Sequence, residues 1–83
     1  TSSLSDTGPC ETAYLLLMRN LPEKALEILE EAPPSASAHN FRGLCYHKIG
    51  KFGPARDAYR KALSLEPDME EARINLNLVL EKL

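Results

Sequence analysis

The sequence predicts an all-α fold: antiparallel helix pairs stacked as a short right-handed solenoid of about five helices. Three observations predict it. Apolar residues recur at helical spacing in five separate stretches, and Gly or Pro stands near most of the breaks between them. No stretch alternates with the period of two that marks a half-buried strand. The stretches also fall into pairs, as an internal repeat requires.

Residues 1–8 are small and polar and read as a flexible lead-in to a single domain over 9–83. Pro9 suits a first helical turn, where its missing N–H costs nothing, and Ala13, Leu16 and Leu17 then recur at helical spacing. Asn20, Leu21 and Pro22 break and restart the chain. In the second stretch Ala25, Leu26, Ile28, Leu29 and Ala32 form an apolar stripe, with charges on the other face. Pro33 and Pro34 end it, since neither donates a helical hydrogen bond. Ser35 or Ser37 caps a third helix that stops at Gly50. Gly53 and Pro54 open a fourth, carrying Ala55, Ala58, Tyr59, Ala62 and Leu63 on one face, and Pro67 closes it. Asp68 to Glu71 resemble a capping box for a fifth. There Ala72, Leu76, Val79, Leu80 and Leu83 are expected to pack inward, and Ile74 and Leu78 to face solvent.

Residues 36–69 contain Gly43-x2-Tyr46, Gly50-x-Phe52, Ala55-x3-Tyr59-x2-Ala62-Leu63 and a late Pro67, within 34 residues. This segment closely resembles a tetratricopeptide repeat. Small Gly43, Ala55 and Ala62 let two helices approach, and Tyr46 and Tyr59 fill the gaps beside them. An earlier copy, about 9–35, shows Ala25-x3-Leu29-x2-Ala32 thirty residues upstream and is expected to have a shorter helix–helix turn. A capping or incomplete third copy covers 70–83, where Ala72-x3-Leu76-x3-Leu80 resembles a first helix. Where the motif's Trp and Leu would sit, the middle copy has His39 and Arg42.

Composition narrows the function. The 83 residues bury about 63% of their extended surface on folding, enough for one small core and too little for the walled pocket of most small-molecule enzymes. Net charge is −2 and there is no Trp, so neither a global positive field nor an aromatic platform invites nucleic acid. The longest apolar run, Ala13 to Met18, is too short to span a membrane. Two cysteines make no disulfide framework, which points to reduced thiols and a cytoplasmic setting. The chain begins at Thr1 and reads as a piece of something longer, with any targeting signal outside it.

Chemistry is sparse. Cys45 and His47 stand two apart and point about 200° from each other on a helix, so they share no metal. Gly50-Lys51 resembles the end of a phosphate-binding loop, but Cys45 and Phe52 stand where that loop needs Gly and Ser or Thr. No spacing assembles a nucleophile with a base. The reading is a non-enzyme without cofactor, metal or small-molecule substrate. Charge is uneven: residues 1–35 carry −4, 36–65 carry +5 and 66–83 carry −3. This implies either complementarity between stacked repeats plus solvated helix faces, or a basic band, including Lys48, Lys51, Arg56 and Arg60, that meets an acidic partner.

The resemblance implies a superhelix whose concave wall comes from the first helix of each pair and holds a peptide or helix of another protein. Opposing that wall to the packing stripe gives Tyr14, Leu17 and Met18 in the first unit. The middle unit gives Asn40, Leu44, His47 and Lys48, and the last gives Ile74, Asn75 and Leu78. Tyr14, Leu44, Ile74 and Leu78 would line a continuous apolar groove. Asn75 matches one Asn of the family's clamp for C-terminal carboxylates. Cys10, Tyr14 and Glu71 depart from that clamp, which disfavours capture of a chaperone's C-terminus. The expected role is a protein–protein adaptor or scaffold module. The alternative is a structural segment whose apolar faces are covered by further repeats or by a second copy.

Overall fold

A computed structural model describes residues 8–83, with side chains described from Glu11 onward. Apart from Gly8, the expected lead-in over 1–8 lies outside the described residues. Five helices follow one another: α1 (Gly8–Met18), α2 (Pro22–Glu31), α3 (Ala36–Lys48), α4 (Phe52–Leu65) and α5 (Glu70–Lys82). The described residues contain no strand. None of the helices is long and apolar enough to cross a membrane.

The α1–α2 and α3–α4 turns are built alike. Asn20 and Gly50 occupy the left-handed region, at φ 63° and 85°. At the first turn the Leu21 amide donates to the Leu16 carbonyl and the Asn20 amide to Leu17, both at 2.9 Å. At the second, Lys51 donates to Tyr46 at 2.8 Å and Gly50 to His47 at 3.1 Å. These are two copies of one helix-terminating motif, in which a left-handed residue turns the chain so that orphan carbonyls are satisfied.

The register is thirty residues through both turns, so the expected shorter turn in the first unit is not there. The shortening falls on α2, which has 10 residues where α4 has 14. Pro33 and Pro34 explain it, because they stop α2 where the equivalent of α4 runs on through Leu63 to Leu65.

Ser35 caps α3, its hydroxyl accepting from the Ala38 amide at 3.1 Å. Helix α4 starts at Phe52, ahead of the Gly53-Pro54 signal, with Pro54 inside its first turn. The capping box expected at Asp68 does not form. Met69 holds the cap position of α5 without a side-chain bond. Its amide instead donates to the Glu66 carbonyl at 3.0 Å, which closes a turn through Pro67 and Asp68. Asp68 is thereby spent on the turn and stands too early to cap.

The core follows the chain in three overlapping clusters. Ala13, Ala25, Leu29, Ala38 and Cys45 join α1, α2 and α3. Ala36, Ala62 and Ala72 join α3, α4 and α5. Ala55, Tyr59 and Val79 join α4 to α5, with Leu44 and Leu76 packed against them. Each cluster serves neighbouring helices only, as in a stacked array. The molecule is accordingly elongated, 43 × 27 × 18 Å.

Helix α5 packs through a narrow stripe. Ala72 and Val79 are fully buried and Leu76 is half-buried, while Leu80 and Leu83 stay exposed. The inward packing expected of Leu80 and Leu83 is therefore corrected. Helix α5 leans on one hairpin only, and Leu80 lies about 100° round the helix from Val79, beyond α4's reach.

Candidate functional site

Helices α1, α3 and α5 present the side chains that form the candidate site. Because α1 and α3 are related by thirty residues, Tyr14 and Leu44 are equivalent, as are Met18 and Lys48. The structure gathers Tyr14, Leu17, Met18, Leu44 and Lys48 around one open hollow of about 270 Å³. Tyr14 is 47% exposed and Met18 68%. The Tyr14 ring leans on Phe41, with centroids 6.0 Å apart at 59°. Phe41 escaped the sequence reading, since it stands between the groove stripe and the packing stripe and its type alone assigns it to neither.

The other expected residues are placed differently. Asn40, expected on the groove wall, is only 3% exposed. Its side-chain oxygen accepts from the Asn75 amide at 3.2 Å, so these two side chains tie α3 to α5. This engages one of the two N–H donors of the Asn75 amide, beside the departures of Tyr14 and Glu71 from the clamp pattern. His47 is half-buried, and its ring meets Phe52 edge-on at 5.4 Å. Ile74 and Leu78 are about half exposed on α5; they are not among the residues around the hollow. Leu44 lines the hollow and also packs against the Ala55–Tyr59–Val79 cluster.

Titratable chemistry within this frame is quiet. Burial pushes the Cys45 thiol up to about 11, which leaves it protonated and unreactive at neutral pH. Burial, and then the neighbouring Cys45, pushes the Tyr59 hydroxyl up as well. What the hollow offers a ligand is apolar contact, with the Lys48 ammonium as the one cation among its lining residues.

The family model described as Tetratricopeptide repeat matches residues 36–69, which span α3, α4 and the turn into α5. No curated protein and no solved structure matches the chain.

Proposed function

The chain carries a tetratricopeptide repeat over residues 36–69, and from that premise we propose that it binds a peptide or helix of a partner protein along α1, α3 and α5. Repeats of this family generally mediate protein–protein interaction or scaffolding. The observation that carries the reading is the hollow of Tyr14, Leu17, Met18, Leu44 and Lys48, with Ile74 and Leu78 also exposed on α5. Monomeric proteins seldom leave such apolar surface contiguous without a use for it. The chain acts as a binding module with no catalytic step, and a reducing, cytoplasmic setting suits its buried free thiol Cys45.

The magnitudes set the strength. Tyr14, Met18, Ile74 and Leu78 are already about half-buried on average. Covering what remains is worth on the order of 3–6 kcal/mol gross. Association costs are of similar size or larger. The groove alone therefore gives weak binding, and useful affinity needs backbone hydrogen bonds or a second contact.

Leu44 is a poor probe, because its substitution disturbs the α4–α5 cluster as well. Met18 and Ile74 are the clean ones. Peptides selected from a random library against the chain should lose at least about tenfold in affinity to the Met18→Asp/Ile74→Asp variant, whose circular dichroism should be unchanged. Unaltered affinity would move the site off this wall.

One observation favours a second reading. Leu80 on α5 and Leu83 just past its end lie exposed, one turn apart, as residues awaiting a further helix would. On that reading the apolar faces are structural, and sedimentation should show concentration-dependent association that Leu80→Ser/Leu83→Ser removes.

A further inference from the structure

A second concavity, of about 500 Å³, opens between α3 and α4. It is bounded by His39, Arg42 and Tyr46 on α3, and by residues of the α4 stretch from Gly53 to Lys61. On α3 this stripe lies roughly 170° round the helix from Asn40, Leu44 and Lys48, so the cleft and the apolar groove occupy opposite sides. His39 and Arg42 stand where the repeat motif places a Trp and a Leu. The His39 ring is smaller than an indole and Arg42 puts a charge where the motif is apolar, which leaves the gap more open and positive.

The charge of this cleft is not neutralised within the described residues. The ion pairs there are Arg56 with its neighbour Asp57 at 3.4 Å, and Arg73 with Glu70 at 4.0 Å. Both are local. Among the described residues no acid of α2 forms an ion pair with a cation of α3 or α4. Arg42 and Lys61 have no carboxylate partner, and Asp57 is the one acid lining the cleft. The His39 Nε2 atom is buried with no hydrogen-bond partner. Burial, then Arg42 and Lys61, hold the His39 pKa below its ordinary value, so both cations project their field onto the same site. Beside these groups Tyr46, Pro54 and Ala58 supply apolar surface.

We propose that the α3–α4 cleft is a second docking site, taking an acidic polypeptide segment whose carboxylates engage Arg42 and Lys61 while its backbone and stems rest on Tyr46, Pro54 and Ala58. The mixed lining argues for this occupant. A bare polyanion would use the charges but leave the apolar surface idle, and the chain's net charge of −2 opposes a nucleic acid. The site stands apart from the groove and does not depend on it.

The test is fluorescence anisotropy with a short labelled Glu/Ala peptide, against the same peptide carrying Gln for Glu. The Glu peptide should bind at low salt, weaken steeply toward about 0.5 M salt, and exceed the Gln peptide by about tenfold or more. Arg42→Glu/Lys61→Glu should abolish binding, and exposed Lys61→Glu alone should weaken it severalfold, which keeps the test decisive if the half-buried Arg42 variant unfolds. Lys82→Glu, equal in charge but on α5, and Met18→Asp/Ile74→Asp in the groove should both leave binding within about twofold. Equal binding of the Gln peptide, full affinity in Lys61→Glu, or an equal loss in Lys82→Glu would overturn the proposal. So would displacement by millimolar inorganic phosphate alone, which would make the site one for small anions.

Discussion

Tyr59 is the largest fully buried side chain, and its ring fills the space that Gly43 leaves open. A Cβ on Gly43 would fall against that ring, 2.6 Å from Cδ1 and 2.8 Å from Cζ, with Cε1 nearer still. In the first helix pair the equivalent residues are Ala13 and Leu29, both buried in one cluster. The repeat thus solves one packing problem twice, a small residue on the first helix facing a large one on the second: Ala13 with Leu29, and the still smaller Gly43 with the still larger Tyr59. We expect Gly43→Ala to cost about 1–3 kcal/mol, despite Ala's better helix propensity. Placed on a Tyr59→Leu background, the same substitution should cost little or stabilise. Chemical denaturation of the four proteins in the cycle checks this, and additivity would show that the two side chains do not compete for space. The Tyr59 hydroxyl is buried without a hydrogen-bond partner. Tyr59→Phe should accordingly raise stability by about 1 kcal/mol; a loss of that size would mean that the hydroxyl is paired.

At the scale of elements, the turns separate conformational cost from contact cost. Gly50 has open space where a Cβ would go, but a φ of 85°. Gly50→Ala should therefore lower stability by about 1 kcal/mol through backbone strain alone. Asn20→Gly, at the matching turn, should be neutral or mildly stabilising, since Asn tolerates that region at some cost. Equal effects at the two positions would contradict the equivalence of the turns. The helices themselves were legible in the sequence because apolar period, proline placement and glycine all pointed the same way at Pro22, Pro33–Pro34 and Gly50. Local details were less so. A capping pattern such as Asp68 to Glu71 states which bonds are possible, but the tertiary position of Met69, packed against Ala36, Ala62 and Ala72, decides where α5 begins. The four-residue deficit of the first unit was visible as a spacing of thirty, and only the structure assigns it to α2 rather than to the turn.

For the molecule as a whole, helix phase read from sequence separated the sides of α3 well enough to find Tyr14, Leu17, Met18, Leu44 and Lys48 together. It could not tell which polar wall residue would turn inward. Asn40 is buried because Asn75 of the next unit offers it an amide, and that pairing depends on how α3 and α5 cross. Leu80 and Leu83 were misplaced for the complementary reason: an apolar residue type states a preference for burial, and the neighbour that would satisfy it is absent from the described residues. The outcome is a thin stack with an apolar hollow between α1 and α3, exposed Ile74 and Leu78 on α5, and a positive cleft between α3 and α4. The central claim is that the apolar wall is where a partner segment lies. Its most direct measurement is a map of amide and methyl NMR shifts in the chain on titration with a library-selected peptide. The account predicts that the largest changes fall at Tyr14, Met18, Leu44, Ile74 and Leu78, with Ala58 and Lys61 nearly still. Changes concentrated on α2, or at Leu80 and Leu83 with the α1–α3 hollow unmoved, would contradict it.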